Sequence, residues 1–151
     1  MKSLPHRHLA TLRLDVDLAS IVPIGNGRLV APISGGTFQG ERLSGNVLSG
    51  GADWVTQSPD GSATIDVRLT LQTDEGAILG LTYQGRFVGP PGAMQRFVAS
   101  EAIDASDYSL QTVARFESGD PRYAWLNDAI VIGIGEQIDG APAYQLYEID
   151  R

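Results

Sequence analysis

From Thr64 to Leu71 the chain alternates without a break. Ile65, Val67, Leu69 and Leu71 fall on one side, and Thr64, Asp66, Arg68 and Thr70 on the other. A two-residue period is that of a β-strand, whose successive side chains leave on opposite faces. Asp60-Gly61 marks a turn before this strand and Asp74-Glu75-Gly76 one after it. The same pattern predicts strands over residues 8–17, 28–33, 35–40, 42–48, 53–57, 64–72, 77–88, 108–117, 129–137 and 143–150. Pro32 confines its strand to an edge or a bulge, and Gly35-Gly36 suggests a bend of the kind barrels use at corners.

Two segments break the strand pattern. Residues 90–103 place Met94, Phe97 and Val98 at i, i+3 and i+4, the spacing of a short helix. Residues 119–127 open with Asp120-Pro121, an N-cap followed by proline at the first helical position, which predicts one helical turn. Many short strands separated by turn signals indicate a sandwich or barrel rather than βαβ units. The expected architecture is all-β: one antiparallel barrel of about eight to ten strands, spanning residues 1–151 as one domain, with one or two short helices.

Alternation leaves open which face points inward. If the polar face lines the lumen, Asp66 and Arg68 become pocket residues. The apolar face then needs cover from outside, which predicts a homo-oligomer.

Composition narrows the function classes. A formal net charge of −7 and scattered arginines argue against nucleic acid as a partner. The absence of cysteine excludes disulfides, thiolate nucleophiles and zinc–thiolate sites. No apolar run approaches the ~18 residues of a membrane span, and the first residues lack a signal-peptide core. The expectation is a cytoplasmic protein with no membrane partner.

His6 and His8 are the only histidines. They could share a strand face, but no third metal ligand follows by spacing, so they read as frayed terminal residues and no metal is expected. No Gly-x-Ser-x-Gly elbow or phosphate loop is present. The chemistry therefore falls to carboxylates, arginines and phenols. Asp66 and Arg68 share a strand face about 7 Å apart; Arg115 and Glu117 repeat that spacing, and Asp53-Trp54 precedes both. Each pair is either a surface ion pair of little energetic consequence or part of a set converging in a barrel. There, low dielectric would shift a carboxylate into the range of a general acid or base. Trp54, Tyr83, Tyr108, Tyr123 and Trp125 divide in the same way between core anchors and ligand contacts.

Several stretches together resemble a known family. They are Gly35-Gly-Thr-Phe-Gln-Gly40, Gly45-x-Val-Leu-x-Gly-Gly-x-Asp-Trp54, Asp60-Gly…Asp66-Val-Arg68…Thr73-Asp-Glu-Gly76 and Arg115-Phe-Glu-Ser-Gly-Asp-Pro-Arg-Tyr-Ala-Trp-Leu-Asn127. Their order over nearly the whole chain is similar to that of domain of unknown function 3237, also uncharacterised protein family 0311. The resemblance implies a β-barrel like those of calycins and allene oxide cyclase, and carries Asp53, Trp54, Asp66, Arg68, Glu117, Tyr123, Trp125 and Asn127 onto matching positions. Gln111 stands where the family usually has arginine, and Leu69 and Leu79 where it has aromatics. If those positions line the cavity, this member has a less cationic and more apolar pocket.

Two functions compete. The first is a cofactor-independent isomerase, cyclase or lyase acting by acid–base chemistry on a small, largely apolar carbonyl or aromatic compound in the barrel. Asp66, Asp53 or Glu117 would move protons and Arg68 and Tyr83 would hold an oxygen, with Trp54, Tyr108, Gln111, Tyr123 and Trp125 around the ligand. The second is a small-molecule binding or carrier protein of calycin type with the same cavity and no chemistry.

Overall fold

The alternating stretch becomes the middle of a closed wall. The computed structural model describes all 151 residues, Met1–Arg151. Its strands are β1 (His6–Val16), β2 (Val22–Gly25), β3 (Arg28–Gln39), β4 (Ser44–Val47), β5 (Gly51–Gln57), β6 (Ala63–Thr73), β7 (Ile78–Val88), β8 (Ser109–Glu117), β9 (Val131–Ile138) and β10 (Ala141–Ile149). One α-helix, α1 (Ala93–Val98), lies between β7 and β8, and a 3-10 segment, Pro121–Asp128, between β8 and β9.

Every pairing is antiparallel, and β1 closes the ring by bonding both β10 and β3. Eight strand positions complete the barrel, with β4 and β5 sharing the position between β3 and β6 and β2 lying outside against β3. Residues 28–39 form one bent strand rather than two. The bend coincides with a register shift, from Asp15↔Gly35 to Val16↔Ile33. Gly36 sits at positive φ there, so close to the Arg13 carbonyl that a Cβ would collide with it.

The inside–outside assignment is the reverse of the one expected for Asp66 and Arg68. On β6 the apolar set Ile65, Val67, Leu69 and Leu71 is buried, while Thr64, Asp66, Arg68 and Thr70 face solvent. The physical reason is space and solvation: an eight-stranded lumen has room for side chains and at most one small guest. Turning a carboxylate and a guanidinium inward would strip both of water. The apolar face is therefore the core, and the argument for self-association drawn from its exposure lapses.

The two ends of the barrel differ. The β8–β9 connection covers one end, burying Tyr123 and Leu126. There Arg42 lies 4.2 Å from the centroid of the Trp125 ring and pairs with Glu148, a nearly buried carboxylate that also faces Arg7 at 3.5 Å. The β7–β8 connection crosses the opposite end, since successive antiparallel connections alternate ends. Helix α1 buries Met94 and Phe97 there, with Phe97 meeting the Phe87 ring edge-on at 5.7 Å. No helix is long and apolar enough to cross a membrane.

Candidate functional site

Beneath α1 the barrel encloses a cavity of about 390 Å³. Leu14, Leu29, Ile33, Val55, Ile65 and Leu110 supply much of the wall, and Met94, Phe97 and Val98 of α1 roof it. The polar lining is sparse: Asp53, Gln57, Gln95 and the phenols of Tyr83 and Tyr144. No arginine, lysine or histidine lines it.

Strand alternation places Asp53, Val55 and Gln57 on the inward face of β5, with Trp54 outward and 48% exposed. The β5–β6 ladder runs through Ala52↔Arg68 and Asp53↔Val67 and resumes at Thr56↔Thr64. Across the intervening gap the Asp66 amide donates to Asp53 Oδ1 at 3.2 Å. A side-chain carboxylate thus binds a strand amide at an interruption in the ladder, and this anchors it at the cavity wall.

Asp53 is reached by solvent only partly, from the cavity it lines. Burial among apolar side chains pushes its pKa up from 3.8 to about 7; the Asp66 amide bond opposes this and the Asp66 carboxylate outside the wall reinforces it. This carboxyl can therefore hold or release a proton near neutral pH.

Tyr83 lies on the same cross-strand row, Asp53↔Val67↔Tyr83, two strands and about 10 Å away between backbones. Tyr144 of β10 meets it across the lumen, ring centroids 5.0 Å apart and tilted by 59°. Burial pushes both phenols above their ordinary range, and the Asp53 carboxylate raises them further. Both stay protonated at neutral pH, and the two phenols also act on each other, Tyr144 raising the pKa of Tyr83 and Tyr83 lowering that of Tyr144.

Of the residues singled out from sequence, Asp53 and Tyr83 line this cavity. Asp66, Arg68, Gln111, Glu117 and Trp54 lie on the outer surface, the correction that follows from the reversed faces. Asp66 there accepts from Gln84 Nε2 at 3.4 Å. Arg68 and Glu117 border a separate polar depression with Thr82, Arg115 and Asn127. Tyr108 is half-buried behind the cavity, stacked on Phe87 at 5.6 Å. Tyr123 and Trp125 belong to the covered end, where Asn127 closes the turn by bonding both backbone groups of Ser118. His6 and His8 are not frayed: both lie in β1 with their rings edge-on to Tyr147, and His8 bonds the Gln145 carboxamide at 2.7 Å.

Sequence reasoning missed Tyr144, Gln57 and Gln95. Tyr144 shares its face of β10 with Leu146 and Glu148, and the opposite face, with Ala143, Gln145 and Tyr147, is no more polar, so alternation does not single it out. Gln57 stands four residues after Asp53, hence on the same face.

The family model described as Protein of unknown function (DUF3237) matches residues 5–149. A UPF0311 protein of Rhodopseudomonas palustris (strain TIE-1) is 35% identical over 118 residues, 78% of this chain and 77% of the relative. The crystal structure of a beta-barrel like protein from Acinetobacter baumannii aligns over 99% of both chains at 30% identity, with a TM-score of 0.81. That of an enzyme from Penicillium herquei aligns over 99% of this chain and 97% of its own at 19% identity, with a TM-score of 0.72, a likeness of fold alone. With nearly its whole length matched by one family model and a relative above 30% identity, the chain belongs to the DUF3237 family.

Proposed function

We propose that this protein is a cofactor-independent enzyme of the isomerase, cyclase or lyase type, moving a proton beside the carbonyl of a small, uncharged, largely apolar compound. The observation that carries this reading is Asp53, a carboxyl poised near neutrality in a cavity with no cation to pair it. Its one hydrogen bond in the protein, from the Asp66 amide to Oδ1, leaves the other carboxyl oxygen without a protein partner.

In this reading the ionised fraction of Asp53 takes the proton α to the carbonyl. The C–H bonding pair moves into the carbonyl, and Tyr83 and Tyr144 donate to the oxygen as it becomes an enolate. Where the compound carries a β,γ double bond, return of the proton at the γ carbon of the dienolate isomerises it to the conjugated carbonyl. Expulsion of a β-substituent with its bonding pair, protonated by water as it leaves, makes the step a lyase, and attack of the enolate α-carbon on an electrophilic carbon of the same molecule makes it a cyclisation. General-base assistance contributes about 10²–10⁴-fold, and each oxyanion donor a comparable factor. The enzyme of like fold from Penicillium herquei lends support as analogy.

The wall also fits a carrier, because 17 of the 21 lining residues are hydrophobic and would hold an apolar guest without reacting. One experiment separates the two. The protein is mixed in D₂O with decan-2-one, binding is verified by calorimetry, and loss of the α-proton signals is followed by NMR. An enzyme of the proposed kind accelerates exchange, with a rate that rises through a midpoint near pH 7 and collapses in Asp53→Asn. Exchange at the buffer rate for a ketone that binds would establish the carrier instead.

A further inference from the structure

The cavity has a second polar station at its mouth. Gln57, at the end of β5, and Gln95, on α1, line the cavity and also line an adjoining polar depression of about 170 Å³ with Ser58, Gly61, Pro91 and Gly92. The two carboxamides come from different elements, and neither side chain hydrogen-bonds within the protein. Unpartnered amides at a threshold between an apolar chamber and a polar vestibule are free to bind a guest.

From these positions we propose that Gln57 and Gln95 determine specificity by binding a second, uncharged polar group of the substrate, a hydroxyl or carbonyl at the end remote from the reacting carbonyl. This rests on the reading of Asp53, Tyr83 and Tyr144 as the reacting end. Strand geometry sets the spacing: Gln57 is four residues along β5 from Asp53, about 13 Å between backbones. The group at the mouth is neutral because no cationic side chain lines the chamber, and an anion would meet only carboxamides and the Asp53 carboxyl. The ligand class is thus a bipolar neutral compound: a hydrocarbon body with an oxygen function at each end.

The test compares decan-2-one with 10-hydroxydecan-2-one by isothermal titration calorimetry, using the wild-type chain and the Gln57→Leu/Gln95→Leu variant. Leucine keeps much of the volume and removes both amides. The ratio of the two affinities within one protein cancels general effects on the cavity. The hydroxyketone is expected to weaken in the variant by roughly three- to tenfold relative to the ketone, the effect of one neutral hydrogen bond. An unchanged ratio overturns the proposal while leaving the reacting end intact. If the ketone itself fails to bind the wild-type chain, the reading of the whole cavity falls and this inference with it. Gln95→Leu alone, on the exposed helix surface, carries the same comparison should the double variant unfold.

Discussion

Replacing Asp53 with asparagine tests the buried carboxyl with no substrate in the assay. In the unfolded chain this group ionises near 3.8; in the folded chain burial holds its proton until about pH 7. Between those values the unfolded state binds fewer protons than the folded one, so stability falls as pH rises. The loss begins near pH 4 and is complete above pH 7, where both states are ionised and the buried charge has its full cost. A rise from 3.8 to about 7 corresponds to about 4 kcal/mol. That is a large share of the ~5–15 kcal/mol available to a domain of this kind. Asparagine keeps the shape and does not titrate. The unfolding free energy of the wild-type chain minus that of Asp53→Asn should therefore drop by about 4 kcal/mol between roughly pH 3.5 and pH 8. Urea unfolding followed by circular dichroism over this range reads the difference, and the other titrating groups, common to both proteins, largely cancel. A difference that stays flat to within about 1 kcal/mol would refute the argument, because the carboxyl would then be as well solvated folded as unfolded.

Tyr83→Phe and Tyr144→Phe should each slow ketone α-proton exchange about 100-fold if its phenol donates to the developing oxyanion, with ketone affinity nearly unchanged; unaltered NMR exchange rates in both would remove the phenols from the chemistry. Asp66→Asn should leave the plateau rate of exchange intact and move its pH midpoint downward, since the outer carboxylate helps hold Asp53 up; a lost plateau would put Asp66 in the reaction itself. Thr112→Val should stabilise the fold by about 1 kcal/mol, read as a melting temperature a few degrees higher, because the buried Thr112 hydroxyl has no hydrogen-bond partner. A lower melting temperature would mean that this hydroxyl is satisfied in solution.

Strand positions were legible because alternation is strong wherever one face is buried. Direction was not: the run from Thr64 to Leu71 reads identically with either face inward, and only closure into a narrow lumen decides it. Asp53 was visible as chemistry but not as an inward residue, since the inward set of β5 contains one aliphatic member, Val55, between Asp53 and Gln57. β2 escaped notice because all four of its residues are exposed, so no buried face imprints a period. The predicted helix starts later than the first proline of its segment: Gly92 takes a positive φ, which keeps Pro90-Pro91 outside the helical turn.

On the proposed enzymatic reading, the covered end of the barrel has a kinetic consequence. With Pro121–Asp128 packed over one end and the Arg42–Glu148 pair fastening it, guest and product share one doorway beneath α1. Nothing can be handed through from front to back, and a second guest of similar size cannot follow the first inside. On that reading each turnover acts on one molecule at a time. The product obstructs the next arrival until it leaves, so its inhibition is competitive with substrate. The pace at high substrate can be set by departure past α1 as readily as by the movement of the proton.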